Sequence, residues 1–265
     1  MQAHSFSCAQ ASIRPYVVAM WQVAGAPPYG QESILPKGVI ELIFSFGEPL
    51  LLSQGPGAAL QATPQCFISG LSTQPLHLRA PAYQHLFGVQ LTPLGVRKLL
   101  RVPAGELLNS ITDLHLLHPQ ISELAAQLAE AAGFEQRVGI IGHWAGQQLA
   151  AVAPQDQLIA AYLQPEQPAL ETVIALADRA CYSPRQLSRK ARDFFGLPAE
   201  ALLRYKRYLR ALGALHQPAA GLLDAGLASG YYDQAHFNRE FRHFTGLTPG
   251  AYRRQQSARP GHVYQ

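Results

Sequence analysis

Cysteine, methionine and tryptophan are scarce in this chain, at three, two and two of 265 residues. Cys8, Cys66 and Cys181 are far apart, odd in number and without CxxC spacing. That excludes a disulfide framework and a four-thiolate zinc site, and it suits a reducing compartment. Charge is sparse too: 14% of residues are charged against 48% hydrophobic, so long solvating tails are excluded and most of the chain is expected to fold. No run approaches the roughly 20 apolar residues that span a bilayer. The opening MQAHSFSCAQ has neither the charged nor the apolar region of an export signal, so the expected location is the cytoplasm, with no use of a membrane. Phosphate-cradling glycine loops, nucleophile elbows and paired-carboxylate signatures are all missing; no catalytic residue and no cofactor is expected.

What is present is unevenly distributed. Residues 1–155 hold 7 Lys and Arg against 8 Asp and Glu, whereas residues 156–265 hold 14 against 9. The cation excess therefore lies wholly beyond the proline break at Pro154. A chain of this length divides naturally into two domains, and a basic domain beside a neutral one points to a polyanionic partner for the former.

The basic part contains an internal repeat. SPRQLSRKARDFFGL, from Ser183, aligns with DQAHFNREFRHFTGL, from Asp233, at a constant offset of 50, pairing Arg189 with Arg239, Arg192 with Arg242, Phe194 with Phe244 and Gly196 with Gly246. Each copy carries helix signals. Ser183 is an N-cap with Pro184 at the first helical position and Gln186 completing a capping box, and Asp233 caps the second copy. Gly196 and Gly246 stand where a left-handed stop is needed, so each helix should be about 12 residues long.

Helical spacing separates the faces. Leu187, Ala191, Phe194 and Phe195 form one apolar stripe, matched by Phe237, Phe241 and Phe244, and these should be core. The other face presents Arg185, Gln186, Arg189 and Arg192 in the first copy, and Gln234, Ala235, Asn238, Arg239 and Arg242 in the second. Arginines and amides near a helix N-terminus reach base edges in a major groove, and arginines farther along reach phosphates. A single such helix would more simply be a solvated basic face; two copies in one chain favour DNA. Each copy follows a short helical segment, LETVIALADRACY or AAGLLDAGLASGYY, with Gly230 supplying a sharp turn, which makes two helix-turn-helix units. PAEALLRYKRYLRALGALHQP joins them as a helix ended by Pro218.

At this point the sequence resembles the AraC/XylS family of bacterial transcription regulators. The resemblance spans about residues 156–255 and is most specific in GYYDQAHFNREFRHFTGLTPGAYRR, through Gly230, Phe237, Arg239, Phe241, Gly246, Pro249, Tyr252 and Arg253. It implies two helix-turn-helix units on a linker helix, reading double-stranded DNA with Arg185 and Arg189 and with Gln234, Ala235 and Arg239. Two departures stand out. Ala235 offers only a methyl group, and Leu197-Pro198-Ala199 stands where the family has a cap followed by proline.

Before the break, RPYVVAMW, VIELIFSF, CFISG, LHLRA and YQHLFGVQL read as strands, the last alternating Tyr83, His85, Phe87, Val89 and Leu91 on one face in the manner of a half-buried strand. Helices follow through PLGVRKLL, QISELAAQLAEAAG and EQRVGIIGHWAGQQLAAV. The expected fold class is α+β. It comprises a β-rich domain closed by helices over 1–153, similar to the family's cupin-like sensor domains, an all-α double helix-turn-helix domain over 156–255, and a short tail over 256–265. Residues 156–265 are expected to bind DNA by themselves.

Two features of the first domain bear on chemistry. His77, His85, His115 and His118 lack metal-ligand spacing, so no metal is expected. Glu41, a carboxylate in an apolar strand, faces either a pocket or, the reading favoured here, an outer sheet surface. If a small-molecule pocket exists, Glu41, Phe44, Phe46, Tyr83 and Phe87 are its candidate lining, with Tyr16 and Trp21 beside them. The expected function is sequence-specific transcription regulation, with a small-molecule effector, a homodimer and RNA polymerase as further partners. The alternatives are a metal-dependent cupin-type enzyme fused to a DNA-binding domain, and a sequence-indifferent architectural DNA binder.

Overall fold

The computed structural model describes residues 2–7, 13–54, 58–148, 152–164, 172–217 and 221–264. Cys8 and the helix stop expected at Pro218 lie outside them. Ten strands build the first domain: β1 (Gln2–Ser7), β2 (Val17–Gly25), β3 (Gln31–Ile34), β4 (Ile40–Ser45), β5 (Leu51–Gln54), β6 (Gln61–Ala62), β7 (Cys66–Ser69), β8 (Leu76–Arg79), β9 (Gln84–Leu91) and β10 (Ile111–Asp113). They form two antiparallel sheets, one ordered β1-β2-β9-β4-β7-β10 and the other β3-β8-β5-β6. The residues read as a tail do not stay free: β11 (His262–Tyr264) pairs with β3 and adds a fifth strand to the second sheet.

The first sheet is covered on both faces. Val23, Leu86 and Phe67 meet Leu50, Leu52 and Leu78 of the second sheet, while Leu42, Phe44, Phe87, Val89 and Leu91 face the helices. The half-buried reading of β9 is corrected accordingly. Leu86 and Gly88 are as buried as Phe87 and Val89, because the sheet has a partner on each side.

The helices are α1 (Pro93–Gly95), running into a wide turn at Val96–Leu100, then α2 (Ile121–Glu130), α3 (Phe134–Gly146), α4 (Pro154–Ala160), α5 (Val173–Arg179), α6 (Pro184–Phe195), α7 (Ala199–Ala214), α8 (Leu222–Ala228), α9 (Gln234–Thr245) and α10 (Pro249–Gln255). Among the described residues, no helix is long and apolar enough to cross a membrane.

The helical part is seated on the β-rich part. The end of α6 packs on the 3-10 turn Ala104–Leu107, where a Cβ on Gly105 would lie 2.0 Å from the carbonyl oxygen of Arg192. Arg97 and Asp193 form an ion pair at 2.8 Å. From α7, the Tyr205 hydroxyl donates to the Ser72 carbonyl (2.7 Å) and accepts the Gly38 N–H (3.0 Å), and the Tyr208 hydroxyl donates to the Pro36 carbonyl (3.1 Å). Both tyrosines are fully buried.

Candidate nucleic-acid interface and effector cavity

The two recognition helices are built alike by local rules. In α6, the Ser183 hydroxyl accepts the Gln186 N–H (3.3 Å) while the Gln186 side chain accepts the Ser183 N–H (2.8 Å), closing the capping box. In α9, the Asp233 carboxylate accepts the His236 N–H at 2.7 Å. Both helices have 12 residues and stop at left-handed glycines, Gly196 at φ 72° and Gly246 at φ 73°. Leu187, Ala191, Phe194 and Phe195 are buried, as are Phe237, Phe241 and Phe244.

The opposite faces are open. Arg185, Gln186, Arg189 and Arg192 are exposed on α6, and Gln234, Ala235, Arg239 and Arg242 on α9, with Asn238 half-buried. None of these arginines forms an ion pair with another described residue. Gln186 keeps its amide N–H groups for a ligand, since only its oxygen serves the cap. Lys190, between them, is spoken for by Asp156 of α4 at 2.8 Å, whose carboxylate also accepts the Tyr182 hydroxyl at 2.8 Å.

Two residues escaped the sequence reading. Glu240 of α9, 6% exposed, takes the Arg204 guanidinium of α7 at 2.6 Å, tying the second recognition helix to the linker. Its signal was an acid in an otherwise basic helix.

The other is Tyr232. The Tyr182 N–H reaches back to the Ala177 carbonyl (2.9 Å), and the Tyr231 N–H reaches the Gly226 carbonyl (3.1 Å), so the two turns correspond at an offset of 49 while the recognition helices correspond at 50. The one extra residue is Tyr232, 87% exposed at the start of α9. Its ring stands bare beside the basic face, and Tyr232→Ala is expected to lower DNA affinity about three- to tenfold with an unchanged melting curve. Fluorescence anisotropy on a selected duplex reads this; unchanged affinity removes Tyr232 from the interface.

The linker departure has a visible consequence. Thr248 caps α10 by accepting the Ala251 N–H at 3.2 Å ahead of Pro249, whereas α7 has Pro198 at its N-cap and no side-chain cap.

A second site lies between the sheets, in a cavity of about 120 Å³ walled mainly by aliphatic side chains. Glu41 faces it, so the surface reading of Glu41 is corrected: the residue is 7% exposed. Its carboxylate accepts from Trp21 Nε1 (2.8 Å) and Gln90 Nε2 (3.0 Å) and faces Lys37 Nζ at 3.6 Å. Burial pushes its pKa up, but Lys37 and the two N–H donors more than offset this and hold it below its ordinary value. The Trp21 indole lies across Gly88, where a Cβ would be 2.1 Å from the ring.

The other pocket candidates are elsewhere. Phe44 and Phe87 are core on the opposite face of the sheet, and Phe46 packs there against His85 and the Arg137 guanidinium. Tyr83 is 54% exposed, just before β9, and Tyr16 is buried in the same core as Phe44. Strand parity is the reason: Glu41 and Ile43 face the cavity, so the even-numbered residues of β4 cannot. Of that set, Glu41 and Trp21 line it.

The four histidines are dispersed. His77 pairs with Ser33 (3.0 Å), His85 approaches Arg137 (3.4 Å), His115 pairs with Asp113 (2.8 Å) and His118 packs on Trp144. No group of three or more metal-ligating side chains occurs among the described residues.

Residues 176–255 match the family described as a helix-turn-helix domain, and residues 8–113 match one described as a domain of unknown function (DUF6597). Over 89 residues the chain is 29% identical to a probable transcription factor, PqrA, of Proteus vulgaris, covering 34% of this chain and 73% of that protein. Among solved structures, ToxT of Vibrio cholerae aligns over 88% of this chain and 97% of its own, at 8% identity and a TM-score of 0.45. The C-terminal domain of AraT, a response regulator of Geobacillus stearothermophilus, aligns over 40% of this chain and 89% of its own, at 24% identity and a TM-score of 0.35. With its twice-built 12-residue helix, each copy side-chain capped at its start and stopped by a left-handed glycine, residues 176–255 form a helix-turn-helix domain similar to that of a probable transcription factor.

Proposed function

We propose that α6 and α9 enter adjacent major grooves on one DNA face, with Arg185, Gln186 and Arg189, and Gln234, Ala235, Asn238 and Arg239, at base edges and Arg192 and Arg242 on phosphates. The observation that carries this is the doubled helix, whose two copies bury the same stripe and leave Arg189 and Arg192, and their counterparts Arg239 and Arg242, open. Residues 1–153 are the sensing and dimerising part, and residues 156–255 the DNA-binding part. A small effector in the cavity between the sheets sets DNA affinity, and by linkage DNA sets effector affinity by the same factor. The protein acts in the cytoplasm as a homodimer that engages RNA polymerase on DNA, and catalyses no reaction. The fused cupin-type enzyme finds no support in the placement of the four histidines.

The test separates base from phosphate contacts. Arg185→Ala is expected to cost about 1–3 kcal/mol on the preferred duplex and to relax preference at one position. Arg242→Ala is expected to weaken all duplexes alike and to lower the salt slope by about one. Equal losses on every sequence for both variants would overturn the assignment and favour an architectural binder.

A further inference from the structure

The cavity's polar end is completed by residues that follow the second helix-turn-helix unit. β11 pairs with β3 in the register Tyr264 to Glu32, Val263 to Ser33 and His262 to Ile34, Val263 is buried, and the Gly261 carbonyl accepts the Leu35 N–H at 2.7 Å. This places His262 and Arg259 in the cavity wall. His262 Nδ1 bonds the Glu32 carboxylate, and its Nε2 lies 3.4 Å from Lys37 Nζ. Burial holds the His262 imidazole below its ordinary pKa, and the neutral form fits both contacts: Nδ1–H donates to Glu32 while Nε2 accepts from Lys37.

The two carboxylates on the wall are therefore already paired, Glu41 by Trp21, Gln90 and Lys37, and Glu32 by His262. Donor capacity is left over. The Arg259 guanidinium has no hydrogen-bond or ion-pair partner among the described residues, and Gln84, 3% exposed on the cavity wall, has an amide nitrogen with no partner. Gln84 is thus a buried donor without an acceptor, and the half-buried Arg259 is a cation open to a ligand oxygen.

The same segment is wired to the recognition helix. The Gly261 N–H donates to the Tyr252 hydroxyl at 3.0 Å, and the Tyr252 ring packs on Phe241 of α9 at 5.6 Å.

We propose that Arg259–Tyr264 is the closing wall of the cavity, and that the cavity takes a compact apolar molecule with an anionic head, held by Arg259. Occupancy then fastens the segment down and fixes α10 and α9 behind it. This rests on the reading of the cavity as an effector site and adds the ligand's chemistry and the element that reports it. The volume sets the scale: at about 120 Å³ the cavity is somewhat smaller than one of about 150 Å³ that accommodates benzene, so the body is no larger than one ring.

The test uses the full chain carrying Trp144→Phe, which leaves Trp21 in the cavity wall as the sole indole. Cyclohexanecarboxylate and cyclohexylmethylamine, alike in body and opposite in head, are titrated against Trp21 emission and against amide exchange over residues 259–264. The acid is expected to bind saturably and to slow exchange in that segment about tenfold or more, and the amine to do neither. Arg259→Gln should weaken the acid about tenfold, whereas Arg259→Lys, which keeps the cation, should stay within about threefold.

Acid binding at Trp21 with exchange unchanged and Arg259→Gln harmless would overturn the closing wall while leaving the effector cavity standing. Equal binding of acid and amine would overturn the anionic head. Emission unmoved by either compound would overturn the ligand class, and salt-dependent DNA binding of the same sample reports separately on the regulator reading.

Discussion

Replacing Arg137 with methionine is expected to lower the unfolding free energy by about 3–5 kcal/mol, through the acceptors it strands. Arg137 of α3 is 4% exposed and has no carboxylate partner among the described residues. Its guanidinium donates to the carbonyls of Leu128 (2.8 Å) and Ala131 (3.3 Å), where α2 ends, and to the Gln22 side-chain oxygen of β2 (2.5 Å), while lying 4.6 Å over the Phe46 ring. One cation thus supplies a helix end with donors that the helix cannot supply itself, and at the terminus where the helix dipole favours positive charge. Methionine matches the volume and removes every donor, stranding three acceptors in a buried space at about 1–3 kcal/mol each before relaxation. Denaturant melts of the two proteins give the difference directly. A loss under about 1 kcal/mol would show that these carbonyls find water instead, and would reduce Arg137 to a packing residue.

Arg137 also marks the boundary of what the sequence disclosed. The recognition helices were legible because their determinants are local: a cap and its acceptor three residues apart, a stripe repeating every third or fourth residue, and a glycine closing the last turn. The same logic gave the left-handed Gly230, observed at φ 90°. In the first turn the equivalent position is Cys181, at φ 55°, a non-glycine residue there that no turn rule would select.

The cavity was hidden for the opposite reason. Glu41 has its partners on β2, on β9 and four residues before it at Lys37, and the closing residue comes from β11, more than 200 positions away. A three-residue strand such as β11 carries no periodicity to detect. Phe44 failed on parity, because a period of two sends it and Glu41 to opposite faces, a constraint available in the sequence once β4 is accepted as a strand. The seat of the helical part was equally silent: nothing local indicates that the hydroxyls of Tyr205 and Tyr208 end on another domain's backbone.

That seat bears on the expectation that the basic part works unaided. Residues 156–265 expressed alone are expected to melt roughly 12–24 °C below the full chain and to bind DNA more weakly at 37 °C. The loss begins with the three hydrogen bonds from Tyr205 and Tyr208 to Gly38, Ser72 and Pro36, about 1 kcal/mol each. To these are added the partner strand of β11 and the support under the end of α6. Gly105→Val in the full chain is the companion experiment, because a Cβ there meets the Arg192 carbonyl oxygen at 2.0 Å and must lift α6 from the first domain with the rest of the chain present. It is expected to cost about 1–3 kcal/mol, an overpacking penalty at a site that touches no DNA-facing side chain. The two results constrain each other. A fragment that melts with the full chain, together with a harmless valine at position 105, would mean that the contact holds nothing in place, and a signal from the cavity would then need another route to α9.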